Sequence, residues 1–178
     1  MNTPAVRILS LIAQLMLSSG SYAADVWFAP EENCQAVIVA ELDKATETID
    51  YQLYNATADP IGDALIRAQK RGVAVRMLLD YRANATSQYS QAARCKAAGI
   101  DVRLDRAHPI AHGKVRIIDG KVLLAGSFND SRQANRNAEN LTRDDEAPLV
   151  KEFSENFQRH WDHAETFVAA KPKTKRRR

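Results

Sequence analysis

The chain has 178 residues, enough for one domain with a sizeable core and too few for two ordinary ones. Hydrophobic residues make up 45% and charged residues 26%, which excludes a disordered or collagen-like chain. The net charge of +3 is unevenly placed: Lys171, Lys173, Lys175, Arg176, Arg177 and Arg178 crowd the C-terminus, and with these and Arg7 set aside 18 basic residues face 22 acidic ones. A generally basic surface is thereby excluded, so any grip on a polyanion comes from the tail or from a local site.

Arg7 precedes an apolar run from Ile8 to Leu17, followed by small residues and Ser21-Tyr22-Ala23. This pattern predicts a secretory signal peptide over 1–23, cut after Ala23, because a later cut would put bulky Tyr22 where a small side chain is preferred. The apolar run is short of the roughly 20 residues that a spanning helix needs. The expected location is periplasmic or secreted. A single domain is expected over 24–170 and a disordered basic tail over 171–178. Cys34 and Cys95 would meet an oxidising compartment, where either one disulfide or two separately buried thiols fits the pattern.

Along the mature chain, a strand is predicted over 26–28, stopped at Pro30, then a helix over 31–47 with Val37, Ile38, Leu42 and Ala45 on one face. A strand over 48–54 follows. Asp59-Pro60 reads as an N-cap with proline at the first helical position, opening a helix whose buried stripe is Ile61, Ala64, Leu65 and Ala68. Gly72 ends it, and 73–79 is the next strand. A helix over 87–97 stops at Gly99, and 100–104 is again a strand. Strands over 112–118 and 121–125 flank Asp119-Gly120, a tight-hairpin signal that makes this pair antiparallel. A long helix over 146–168 closes the fold, with Leu149, Phe153, Phe157, Trp161 and Ala164 on its apolar face. The expected class is α/β: a mixed, mainly parallel sheet flanked by helices on both faces. No internal repeat is visible.

The chemistry is carried by a short stretch. His112 and Lys114 are two apart and share one face of the predicted strand, while Val115 and Ile117 face a core. The hairpin at Asp119-Gly120 brings Ser127 and Asn129 back beside them. An imidazole, an ammonium, an amide and a hydroxyl then converge on a phosphate site: Lys and Asn hold its oxygens while the imidazole attacks or protonates. Arg116 shares the face of His112 and Lys114, so it is read as a surface residue with a possible phosphate contact. His108 is a possible substrate contact, whereas His160 and His163 read as structural or solvated. Trp27 and Trp161 read as core. No Asp, Glu and His set at metal-ligand spacing accompanies the motif, so no metal or cofactor is expected.

The pattern His112-x-Lys114-x4-Asp119-x6-Gly126-Ser127-x-Asn129 matches the HKD signature, and the sequence is identified as a member of the phospholipase D superfamily on these residues. Asn137-Ala138-Glu139-Asn140 resembles the family's acidic segment. The succession of elements from Val26 to Trp161 resembles the small secreted Nuc-type endonucleases. The resemblance implies a phospholipase D/nuclease-like fold, with His112 as nucleophile or acid and Lys114 and Asn129 on the phosphate. Ser127 would lie in the same pocket, Glu139 would orient an imidazole, and Asp119 and Gly126 would be supporting residues.

Cleavage through a phosphohistidine needs two imidazoles with opposite tasks, one neutral to attack and one protonated to release the alkoxide. One motif per chain therefore implies a homodimer with the site on its two-fold axis. The resulting expectation is a secreted, metal-independent phosphodiesterase, an endonuclease whose substrate is nucleic acid: DNA and, as a further substrate, RNA. One alternative is a phospholipase D or phosphatidyltransferase acting on phospholipid. Another is a non-catalytic nucleic-acid-binding component of a conjugation or secretion apparatus.

Overall fold

The computed structural model describes residues 24–169, so the expected signal segment and basic tail lie outside the described residues. Eight strands form one sheet: β1 (Asp25–Ala29), β2 (Thr48–Leu53), β3 (Ala74–Asp80), β4 (Asp101–Asp105), β5 (Lys114–Ile118), β6 (Val122–Gly126), β7 (Glu139–Asp144) and the two-residue β8 (Glu165–Thr166). Their order across the sheet is β1-β7-β6-β5-β2-β3-β4-β8. The helices are α1 (Cys34–Lys44), α2 (Asp59–Lys70), the single turn α3 (Tyr81–Asn84), α4 (Ala92–Ala97) and α5 (Ala147–His163).

The sheet is mixed, as expected, but its balance differs from the expectation of a mainly parallel one. Only the β2–β3 and β3–β4 pairs are parallel, and every other pairing is antiparallel. The reason lies in the connections. Parallel neighbours need a crossover, and between adjacent strands only α2 and the α3–α4 segment supply one. The hairpin between β5 and β6 and the return of β7 and β8 from distant parts of the chain set the remaining directions.

Helices cover both faces. On one, α1, α2 and α4 bury Ile38, Leu42, Ile61, Leu65 and Cys95 against Ile49, Leu53, Val75 and Met77 of the sheet. On the other, Val150, Phe157 and Trp161 of α5 pack on Leu78, Val115, Ile117 and Leu123. Trp161 is core, while Trp27 is partly buried and packs against the first cluster. Cys34 and Cys95 are both free and buried. Burial pushes the Cys95 thiol up to about 12 and raises that of Cys34, so neither is poised to react.

Several element boundaries move for identifiable reasons. The first helix starts late because Asn33 caps it, its Oδ1 accepting from Ala36 N at 3.1 Å. It stops early because the Asp119 carboxylate takes the N–H groups of Thr46, Glu47 and Thr48. Asp59 lies within α2 and does not cap it; its carboxylate accepts from Gln91 and Arg132. The helix expected over 87–97 begins only at Ala92. The last helix ends at His163, and Glu165–Thr166 then pair with β4 while Phe167 N donates to Val102 O at 2.8 Å. An open strand edge offers those bonds, and five more residues of helix would forgo them.

Candidate active site

The carboxyl ends of β2, β3 and β4 lie at one end of the sheet, together with the start of β5: Lys114 is opposite Leu53, and Asp80 is opposite Asp105. The end of β6 and the start of β7 lie beside them, with Gly126 opposite Leu141. Ligands of open α/β sheets bind at such an edge, where strands give way to loops.

His112 is exposed in the loop just before β5, outside the strand predicted for it. Lys114 opens the strand and is buried beneath it. Its ammonium donates to His112 O at 2.9 Å and lies 3.1 and 3.3 Å from the two ring nitrogens. The Tyr54 ring completes the wall, 4.7 Å from the His112 ring and 5.5 Å from Lys114 Nζ. Burial is the largest influence on Lys114 and lowers its pKa; Glu139 opposes that shift and Arg116 reinforces it. The ammonium is thus weakly solvated and available to an incoming anion.

Ser127 and Glu139 meet across the β6–β7 edge. Ser127 Oγ donates to Glu139 Oε2 at 2.6 Å and accepts from Asn140 N at 3.0 Å. Glu139 also accepts from Asn137 Nδ2. Its hydrogen bonds among the described residues go to Ser127 and Asn137, so within one chain it orients a hydroxyl, not the imidazole expected of it. Gly126 makes the turn possible: its φ is +148°, and an added Cβ would lie 2.4 Å from Asn140 O. Asn129 follows, with its Oδ1 buried and without a hydrogen-bond partner among the described residues.

One sequence reading changes, and the three remaining histidines fall together. Arg116 is wholly buried, not at the surface. The face it shares with Lys114 runs under the helices, and there its guanidinium pairs with Asp130 and donates to Phe128 O at 3.0 Å. His108 binds Asp105 Oδ2 through Nδ1 at 3.0 Å and faces His160 and His163, with ring centroids 4.8 and 5.3 Å away. His160 and His163 point to the same carboxylate. The supporting role of Asp119 takes a definite form: it fastens the start of β2 to the β5–β6 turn.

Asp130, Asp80 and Tyr54 were not singled out by sequence. Asp130 anchors the loop that carries Asn129, its carbonyl accepting from Thr57 N and Ala58 N. Asp80 accepts from Ala83 N and Ala111 N, fixing the residue before His112. Asp130 directly follows the motif and Asp80 ends a strand at the same edge, which are the signals that could have found them.

A family model described as "Cardiolipin synthase, PLD-like domain" matches residues 38–161. The phospholipase D of Rickettsia conorii is 41% identical over 131 residues, spanning 73% of this chain and 65% of that protein. A mitochondrial cardiolipin hydrolase of Chlamydomonas reinhardtii is 38% identical over 122 residues, spanning 68% of this chain and 54% of that protein. The match thus covers less than two thirds of either relative. Nuc, a phospholipase D family member from Salmonella typhimurium, superposes with a TM-score of 0.78 at 32% identity, covering 84% of this chain and 100% of that one.

Proposed function

The chain belongs to the phospholipase D superfamily, and from that premise we propose that it is an exported, metal-independent endonuclease cleaving DNA and RNA through a phosphohistidine at a site shared by two chains. The observation that carries this reading is the exposed His112 resting on the buried Lys114 ammonium at the carboxyl end of the sheet. A phosphodiester seated there meets a nucleophile, a cation and, from Asn129, the N–H donors of a side-chain amide.

The steps follow from these groups. A ring nitrogen of His112 attacks phosphorus, forming an N–P bond as the P–O bond to the leaving alkoxide breaks. The partner's His112 gives that alkoxide its proton. A water then passes a proton to the partner's His112 and attacks phosphorus, releasing His112. Lys114 and Asn129 stabilise the charge on the non-bridging oxygens throughout. Ser127, held between Glu139 and Asn140 N, keeps the rim of the site in place. These side chains supply the nucleophile, the acid and the charge stabilisation without a metal.

Support for a nucleic-acid substrate comes from the likeness to Nuc over the whole of that chain. A phospholipid substrate is the second reading, favoured by the relative named phospholipase D at 41% identity. The signal-like segment over 1–23 supports export to the periplasm or beyond. Purified protein is incubated in excess chelator with plasmid DNA and, separately, with phosphatidylglycerol vesicles. Nicking of the plasmid, lost in His112→Ala, is expected. Cleavage that appears only on adding Mg2+, or turnover of lipid without turnover of DNA, would overturn the reading.

A further inference from the structure

The chain has four histidines. One is His112, and the other three converge on a single buried carboxylate at the end of β4. Asp105 Oδ2 lies 3.0 Å from His108 Nδ1, 3.1 Å from His160 Nδ1 and 3.4 Å from His163 Nε2. All four donor atoms fall within 4.8 Å of one another. We propose that Asp105, His108, His160 and His163 form a structural binding site for one zinc-like divalent transition metal ion.

Geometry argues for a shared ion over a set of hydrogen bonds. With metal–nitrogen and metal–oxygen bonds of about 2.0–2.2 Å, a tetrahedral site has edges of about 3.4 Å. The three oxygen–nitrogen edges are already near that length, so the imidazoles need only close on one another. Two rings already crowd Oδ2 within hydrogen-bond distance, His108 Nδ1 being shared with Oδ1 at 3.1 Å, and the third, His163 Nε2, stands 3.4 Å off. The other oxygen is occupied, since Asp105 Oδ1 accepts the backbone N–H groups of Ala107 at 3.0 Å and His108 at 3.4 Å. Those bonds fix the carboxylate and aim Oδ2 at the rings, the kind of outer support that ligating carboxylates receive.

Charge argues the same way. The Asp105 side chain is fully buried, yet no Lys or Arg pairs with it among the described residues. The flanking guanidiniums are engaged elsewhere, Arg103 over the Trp161 ring at 4.3 Å and Arg106 over the Tyr81 ring at 4.7 Å. A buried carboxylate needs a counter-charge, and a cation among neutral imidazoles supplies it. A cleft of about 220 Å³ lined by Asp80, Arg106 and His108, among others, opens onto the cluster and gives an ion access.

Three imidazoles and one carboxylate suit zinc, and four protein ligands make a closed, structural site. The ligands come from β4, from the loop leading to His112 and from the last turn of α5. An ion there would clip the closing helix to the sheet and steady the approach to the active site, sharing no ligand with it.

The test uses untagged, chelator-stripped protein titrated with zinc and with cobalt. One ion per chain is expected, with the visible spectrum of four-coordinate cobalt and a rise in Tm on the order of 10 °C at saturating zinc. His108→Gln and His163→Gln replace partly exposed rings, and circular dichroism checks that the metal-free variants fold. Each should weaken binding by about 100-fold or more and abolish the Tm rise. His112→Gln should bind like wild type. A wild-type chain that takes up no stoichiometric zinc, a His163→Gln chain that binds as tightly, or loss of binding in His112→Gln would each overturn the proposal.

Discussion

In the proposed chemistry Lys114 acts through its place beneath His112, where it is largely shut off from water and so can give an anion a strong, poorly screened contact. Lys114→Met keeps the buried stem and removes the charge, and Asn129→Ala removes an amide whose oxygen has no hydrogen-bond partner among the described residues. Each should lower the turnover rate by about 100-fold or more with little change in melting temperature; rates within a few-fold of wild type would show that neither touches the reacting phosphate. Arg116 has the opposite character. Arg116→Met strands Asp130 as an unpaired buried charge, so chemical denaturation should show a loss of about 3–5 kcal/mol. A loss below about 1 kcal/mol would mean that the pair does not anchor the Asn129 loop. Asp119 makes stability depend on pH. Partial burial works against its ionised form, but the N–H groups of Glu47, Thr48 and Thr46 outweigh that and hold its carboxyl below the usual carboxylate range. Because the folded-state pKa lies below the unfolded value of about 3.9, this stabilisation is complete above that value and is lost as pH falls through the folded pKa. Asp119→Ala should cost about 2 kcal/mol at neutral pH, with the gap to wild type closing in acid. A gap that stays constant down to the acid limit would refute this role.

At the scale of elements, the turn out of β6 decides where Ser127 and Asn129 sit. Gly126→Ala adds a Cβ against Asn140 O at a φ that suits glycine, so the strand end must shift. Activity should fall by at least about 10-fold, together with a measurable loss of Tm; an active variant with wild-type stability would show that the turn is not constrained. Much of this edge was legible in the sequence, because its signals are local. Apolar alternation marked the strands, Asp119-Gly120 marked the hairpin, and the spacing from His112 to Asn129 marked the site. What was not legible depends on partners far along the chain. The burial of Arg116 is set by Asp130, which reaches it only through the β6 return. The end of α5 is set by the free edge of β4, and the duties of His108, His160 and His163 by Asp105, 55 residues before His160. Short range also misled: Ser87 to Gln91 were expected within a helix, but Ser90 Oγ donates to Asn84 Oδ1 at 2.9 Å and holds them in a loop.

At the scale of the whole molecule, one chain carries one HKD imidazole, His112, at the carboxyl end of its sheet, and the proposed chemistry needs two. His112 is exposed, as a residue meeting a second copy across a two-fold axis would be in the isolated chain. The most direct measurement is DNA cleavage by dimers reassembled from an equal mixture of wild-type and His112→Ala chains after full dissociation. If each site needs both imidazoles, only the pairs of wild-type chains are active, and the rate should be about 25% of that of the same total amount of wild-type protein. A rate of about 50% would mean that each chain cleaves with its own histidine, and would contradict a shared phosphohistidine site.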